Sequence, residues 1–391
     1  MTEETFDVAV VGARCAGSAT ARLLAQRGLR VLVLDKASFP SDTVSTHGIQ
    51  PYGVDLLRRW GLLDKVLATN VPYAHSLGSR LGELDTDVTW DPGSCQLMAP
   101  RRIELDDVLV QAARARGAEV RERATCRELI TEHETVVGVR YSDPQDRTRE
   151  IRARLVVGAD GASSFVAKAV QAPRYDVRPS SISFRYAYYS GVQIERMELA
   201  WSHPLFSWAF PTNDNLTCMI GAMPHADLTA FADDADQALV GLFARTSPRL
   251  ADALRAGKRE TRFLGCRGRA ARRVAAHGPG WALCGDAGYF KDPVTGTGIS
   301  DAFAGAQLLA DALIEGFEDP GALPESLARY QSRRDELFAE TYEVPACLSS
   351  LGWTNDELPG LILNIAPSPE KLEKILGLKL AELQVRPSAG G

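Results

Sequence analysis

Three short stretches of this 391-residue chain set glycine beside aspartate in patterns that suit a ligand bearing phosphates and sugar hydroxyls. In "VVGARCAGS" (10–18), Gly12 and Gly17 frame a turn that ends a strand and opens a helix, which aims backbone amides at a pyrophosphate. The middle position of such turns is ordinarily glycine, so that the backbone can come close; here it is Arg14. Asp35 closes the next strand, at the spacing from which a carboxylate reaches the hydroxyls of an adenosine ribose and disfavours a 2′-phosphate. In "VVGADGASSF" (156–165), the Asp160–Gly161 turn follows a buried strand. In "GDAGYFKDPVTGTGIS" (285–300), Asp286 can accept from a polyol hydroxyl and Pro293 stiffens the loop. Gly296 and Gly298 then bring amides to the start of a helix, where partial positive charge collects. That charge suits a ring carbonyl edge that becomes anionic on reduction, as in an isoalloxazine.

The surrounding pattern supplies the elements to hold these corners. Residues 6–36 read as strand, helix and strand, the helix running from about 17 to 27 and stopped by Gly28. A second amphipathic helix covers 54–67 with an interruption near Gly61, and a third begins at 101 and ends at Gly117 before another strand. Residues 73–99 alternate and contain a hairpin signal, "DTDVTWDPGS". A further hairpin leads into a buried strand at 155–158. From about 176 to 225 the chain becomes strand-rich and aromatic; a helical pair (226–257) and a strand around 261–266 follow. "WALCGDAGYF" returns to a buried strand, residues from 298 form a helix, and the tail from 320 is helical with a polar end, "RPSAGG". A strand block interrupting α/β segments implies a discontinuous arrangement. Residues 1–72, 97–175 and 266–330 would carry the ligand corners, 73–96 and 176–265 a substrate domain, and 331–391 a C-terminal helical segment.

A net charge of −6 provides no basic field for nucleic acid. No apolar run reaches the length of a membrane span, and the first strand starts too early to leave room for a signal peptide, so a cytoplasmic protein is expected. The seven cysteines are scattered and include no Cys-x-x-Cys pair, which argues against a metal site or disulfide framework; the six histidines show no ligand spacing. Cys15 differs in position, because it lies in the turn before a helix, where a thiolate would be stabilised.

Together the three corners resemble the FAD-dependent monooxygenase superfamily of the p-hydroxybenzoate hydroxylase fold, in its actinomycete branch related to geranylgeranyl reductases and halogenases. The resemblance covers about residues 5–330. It implies an α/β architecture: a Rossmann-like FAD-binding domain, an interrupting β-sheet substrate domain and a helical C-terminal tail. "GARCAGS" is similar to a Gly-x-Arg-x-Ala-Gly-Ser variant in which the arginine reaches out beside bound FAD instead of blocking the turn. By the same resemblance Gly12, Arg14 and Gly17 cradle the pyrophosphate, and Asp35 holds the ribose with Lys36 beside the adenine. The backbone at Cys126 reads the adenine, Arg102 of "RIELD" packs near the flavin, and Asp160 touches the pyrophosphate. Asp286 contacts the ribityl chain, while Pro293, Gly298 and Ile299 approach the ring. Thr46 and His47, in "SDTVSTH", fall where the family's chain passes the ring; they are also placed to cap the helix near Pro51.

Only one dinucleotide fingerprint is present, and "GCRGRA" (265–270) does not make a second. Reducing equivalents would then come transiently from NAD(P)H, or as reduced flavin from a partner reductase. The aromatics Phe184, Tyr186, Tyr188, Trp201, Phe206, Trp208 and Phe210 alternate as one strand face requires. They either pack the sheet on the core or line a water-poor pocket. Such a pocket would protect a C4a-hydroperoxyflavin, with which a monooxygenase hydroxylates an aromatic or polyketide-like molecule using molecular oxygen. In that reading Phe184, Trp201, Phe206, Trp208 and Phe210 touch substrate, and His47, Tyr186, Tyr188 or Lys291 provides the proton path. "PLFSWAFP" (204–211) is similar to the Tyr-x-Trp-x-Phe-Pro element of geranylgeranyl reductases, which makes double-bond reduction the alternative. A flavin halogenase, for which no lysine stands out, and a non-catalytic prenyl carrier, against which Asp35, Asp160 and Asp286 speak, come after it.

Overall fold

The computed structural model describes residues 4–74, 76–82, 84–89, 97–362, 364–379 and 384–387. Cys95, His75, the second half of the "DTDVTWDPGS" hairpin and the last four residues of "RPSAGG" lie outside the described residues.

The opening strand Thr5–Val11 is apolar throughout from Val8 to Val11 because both of its faces are covered there. Val8 and Val10 pack with Ala16 and Ala19 of the helix Cys15–Ala25 and with Phe303 and Ala306 of the helix Gly298–Glu318. Ala9 and Val11 face the other layer, where the antiparallel strands Thr125–Glu132 and Thr135–Ser142 contribute Val136, Val139 and Tyr141. Thr5–Val11 pairs in parallel with Val31–Leu34 (Val8 opposite Val31) and with Thr148–Gly158 (Val8 opposite Leu155). Trp281–Leu283 and Glu119–Arg121 extend the parallel order on either side. The interrupted second helix is two pieces, Pro51–Arg59 and Leu63–Leu67, with Gly61 at φ +67° between them.

The strand-rich block forms a second, largely antiparallel sheet. Its order is Lys258–Arg259, Ile182–Ser190, Leu216–Pro224, Leu205–Thr212, Met197–Ser202, Ser76–Leu81, Leu84–Thr89 and Gln384–Pro387, with Leu264–Arg267 also on Ile182–Ser190. Side chains alternate across it. Phe184, Tyr186 and Tyr188 lie on one face with Trp201, Phe206, Trp208 and Phe210, while Ala187 and Tyr189 lie on the other against Leu239, Leu242 and Phe243. The helices Ala235–Thr246 and Pro248–Ala256 cover that second face.

Residue 331 falls inside the helix Leu323–Leu337, which packs onto the helix Gly298–Glu318. Tyr330 on it donates from its hydroxyl to the Leu283 carbonyl at 2.8 Å. Ala339–Ser350 follows and places Val344 and Leu348 against the aromatic face. Within the tail expected to be helical, Gln384–Pro387 is a strand, antiparallel to Leu84–Thr89. Sheet addition at an exposed edge satisfies its backbone, a pairing that local composition does not reveal. Among the described residues no helix is long and apolar enough to cross a membrane.

Candidate functional site

A cavity of about 800 Å³ opens where the carboxyl ends of the parallel strands meet the aromatic sheet. This is the crevice in which open α/β sheets bind ligands. Gly12, Arg14, Asp35, Lys36, Thr46, Arg102, Cys126, Asp160, Asp286, Pro293, Gly298 and Ile299 all line it, as do Phe184, Tyr186 and Lys291.

Gly12 sits at φ +103°, and a Cβ there would meet the Ala159 carbonyl oxygen at 2.4 Å; only glycine satisfies both constraints. Gly17 does not line the cavity. A Cβ on it would lie 1.7 Å from the Gly12 carbonyl oxygen, so its place is the close approach of helix to turn. Asp35 accepts from the Ala13 amide at 2.7 Å and the Ala37 amide at 2.8 Å, one on each carboxylate oxygen, and thereby fixes the turn it faces.

Arg14 points out of the turn. Its guanidinium donates to the Ser41 carbonyl at 3.3 Å and the Ser41 hydroxyl at 3.2 Å, lies over the Phe39 ring, and pairs with Asp106. Asp106 is fully buried and also takes Arg102 through Nε at 3.0 Å and Nη2 at 2.9 Å. One carboxylate thus holds two cavity-lining arginines. Asp106 was visible in "RIELD" only as a motif letter; its i,i+4 spacing from Arg102 is the signal that places the two together. The Cys15 thiol donates to Asp106 at 3.4 Å, and burial pushes it up to about 12, with Arg102 opposing. The stabilised thiolate expected there is therefore corrected: enclosure beside a carboxylate outweighs the helix start.

Ser164 caps the short helix Phe165–Ala169 by accepting from the Ala167 amide at 2.9 Å, and Asp160 accepts from the Ser164 hydroxyl and the Phe165 amide, both at 2.6 Å. Asp286 instead opens into the cavity with no hydrogen-bond donor among the described residues. Its side chain is exposed to the cavity, and the protein atoms crowding the cavity around it push its carboxyl up to about 6, with Arg102 pulling down and Asp301 pushing up. Asp292 is fully buried; Oδ1 accepts from the Val294 amide at 3.1 Å, Oδ2 has no hydrogen-bond partner among the described residues, and burial raises its carboxyl to about 7, with the Ser180 side chain opposing.

Lys291 is buried and paired with Asp301 at 2.5 Å, and Asp301 also accepts from the Tyr52 hydroxyl at 2.5 Å. Ten residues separate Lys291 from Asp301 and the glycine turn folds one onto the other, so spacing alone hides the pair. His47 and Tyr188 do not line the cavity. They form a buried pair behind the segment 43–46, Tyr188 Oη to His47 Nε2 at 2.6 Å. Burial, with Arg102 and Arg101 adding to it, holds His47 down at about 3, so it stays neutral at physiological pH. The N-cap of the helix Pro51–Arg59 is Gln50, whose amide donates to the Ser300 hydroxyl at 2.8 Å, so the cap position is neither Thr46 nor His47. Tyr186 accepts from the Ser45 amide at 3.3 Å.

The aromatics divide. Phe184 faces the large cavity, whereas Trp201, Trp208 and Phe210 line a second, small cavity with Met197, Leu77 and Leu97. Phe206 lines neither and packs on Trp208 and Trp353. Thr46 and Pro293 line both cavities and form the wall between them.

The donor set fits FAD. At Gly161, Gly296 and Gly298 a Cβ would meet nothing within 4 Å, so the backbone there lies open, and Gly161 and Gly298 line the cavity. Amides at a helix start, a free carboxylate and a glycine turn are the groups a flavin's carbonyl edge, ribityl chain and pyrophosphate require.

A family model described as "FAD binding domain" matches residues 5–343. Digeranylgeranylglycerophospholipid reductase 2 of Methanopyrus kandleri is 27% identical over 378 residues, covering 91% of this chain and 89% of that protein. Among solved structures, the myxobacterial chondrochloren halogenase CndH superposes with a TM-score of 0.78 at 24% identity, covering 88% of this chain and 83% of the other. PqsL, a probable FAD-dependent monooxygenase from Pseudomonas aeruginosa, gives 0.75 at 21% identity, over 96% of this chain and all (100%) of the other. At these identities the two structures speak for the fold.

Proposed function

The chain belongs to this FAD-binding family of oxidoreductases, and from that premise we propose that it is a monooxygenase that hydroxylates an apolar aromatic or polyketide-like molecule. Gly12 and the turn held by Asp35 would carry the pyrophosphate, with Arg14 and Arg102 steadied by Asp106 at its side. Asp286 would accept from the ribityl chain, and the amides at Gly298 and Ile299 would stabilise negative charge at the ring edge. Bound there, FAD supplies two-electron chemistry with oxygen.

One observation carries the reading. The apolar face of the second sheet reaches the 800 Å³ cavity at Phe184, Tyr186 and Ile220, and the ring-binding loop lines the same cavity at Pro293, Gly298 and Ile299. An apolar ring held against that face would lie beside the flavin with no wall between them, shielded from bulk water. Tyr186 and Asp292 face the large cavity. Asp292, near 7, can hold or release a proton there at neutral pH. NAD(P)H, or reduced flavin from a partner reductase, would deliver the electrons.

Reduction of a prenyl double bond is the second reading, supported by "PLFSWAFP" and by the likeness to an archaeal reductase. The two separate in one experiment with FAD-loaded protein and NADPH. Substrate-dependent oxygen consumption and a product one oxygen atom heavier, from a panel of phenols and polyketide aromatics, support hydroxylation. A product two hydrogens heavier, formed equally well without oxygen, replaces it with reduction.

A further inference from the structure

We propose that Lys291 is a positioning residue for the charge around the cofactor: it holds and neutralises the Asp301 carboxylate at the foot of the helix Gly298–Glu318, and the pair thereby sets how readily bound FAD accepts electrons. The inference rests on the large cavity being the FAD site, and it holds whether the reaction is hydroxylation or double-bond reduction.

The amides of Gly298, Ile299 and Ser300 precede the first bond of that helix, from the Asp301 amide to the Thr297 carbonyl at 3.0 Å, and have no acceptor among the described residues. Gly298 and Ile299 line the cavity. An acid in the first turn of a helix is well placed to offset the partial positive charge of such amides. Asp301 is that acid, yet its oxygens are engaged elsewhere. Oδ1 accepts from the Tyr52 hydroxyl at 2.5 Å, and Oδ2 accepts from Lys291 Nζ at 2.5 Å and from the Thr297 hydroxyl at 3.4 Å. Lys291 also donates to the Thr341 carbonyl at 3.5 Å. All four side chains around the carboxylate are buried, and Lys291, Asp301 and Thr297 line the cavity.

A buried ion pair seldom returns more stability than apolar side chains of the same volume, so folding alone gives little reason for one here. Its place gives a better one. A lone carboxylate near the ring edge would oppose the negative charge that a flavin gains on reduction, and a lone ammonium would favour it. Paired, the two cancel, and the free amides of the helix start remain as the positive feature. The field of the pair reaches the ligand side of the cavity. The Asp286 carboxyl, raised first by the protein atoms crowding around it, also feels both members, Asp301 upward and Lys291 downward.

The FAD-loaded full-length protein is reduced stepwise beside a reference dye, and the midpoint potential of its flavin is read from absorbance. Wild type is compared with Lys291→Met, Asp301→Asn and the double variant. The potential reports the ratio of affinities for reduced and oxidised FAD. Lys291→Met should lower it and Asp301→Asn raise it, each by about tenfold or more in that ratio, which is about 30 mV for a two-electron couple. The double variant, with neither charge, should return close to wild type. Packing damage would move both single variants the same way or leave the potential where it was, and either result overturns the inference. Where a lone buried charge stops a single variant from folding, Tyr52→Phe decides. It keeps both charges and the ring while freeing Oδ1 to turn toward the amides, so the potential should fall; an unchanged potential overturns the inference. A yellow protein whose potential ignores these substitutions overturns this inference alone, whereas a chain that takes up no FAD overturns the placing of the cofactor as well.

Discussion

Asp286 offers the sharpest test of where the cofactor lies. Its carboxyl opens into the cavity, has no donor among the described residues, and titrates near 6 because the protein atoms crowding around it raise it more than Arg102 lowers it. If it accepts a ribityl hydroxyl, the ionised form binds and the protonated form must first lose its proton. Affinity is then full from about one pH unit above 6 upward and declines as pH falls through 6. With dissociation scaling as one plus the protonated-to-ionised ratio, a pKa of about 6 gives about twofold weakening at pH 6 and about elevenfold at pH 5, relative to pH 8. Removing the group altogether in Asp286→Ala costs one buried hydrogen bond, about 1–3 kcal/mol, or about 5- to 150-fold in FAD affinity at pH 8. Apoprotein reconstituted with FAD and followed by quenching of flavin fluorescence measures both. Asp286→Ala should bind weakly with a flat pH profile over this range. A wild-type profile as flat as the variant's, or equal affinities at pH 8, would show that Asp286 does not touch the cofactor.

The remaining predictions use other parts of the site. Gly298→Ala has open space for its methyl group, so the apoprotein should melt at or above the wild-type temperature while FAD affinity falls; Gly12→Ala, facing the Ala159 carbonyl at 2.4 Å, should instead fail to fold. Asp106→Asn leaves Arg14 and Arg102 without their shared counter-charge and should cost about 3–5 kcal/mol in denaturant unfolding. Asp292 is protonated in the fold below about 7 but in the unfolded chain only below 3.8, so its penalty builds up between those pH values; Asp292→Asn should raise the melting temperature most at pH 8, by less at pH 5.5, and not at all below about pH 3.8. Tyr188→Phe strands the His47 ring nitrogen and should lower stability by about 1–3 kcal/mol, with FAD affinity unaltered because neither residue lines the cavity.

Much of the architecture follows from local pattern. An apolar run at residues 5–11, two glycines at the turn and an acid at Asp35 specify strand, turn, helix and strand, because backbone approach and double-sided burial allow few other residues there. Alternation at 184, 186 and 188 likewise assigns those aromatics to one face. The ring of cavity-lining residues was legible for the same reason: glycine–aspartate corners advertise themselves by composition. What the tertiary structure decided is which side of a wall each side chain reaches. His47 and Tyr188 sit one layer behind the cavity, Phe206 is enclosed, and Trp201, Trp208 and Phe210 open on a separate pocket, although the sheet aromatics among them lie on the same face as Phe184. The pairing of Lys291 with Asp301 and the joint grip of Asp106 on Arg14 and Arg102 belong to the same class. Periodicity reports the direction of a side chain relative to its own strand or helix. Depth and partnership depend on what another element, tens or hundreds of residues away, brings against it, and that information exists only once the layers have packed.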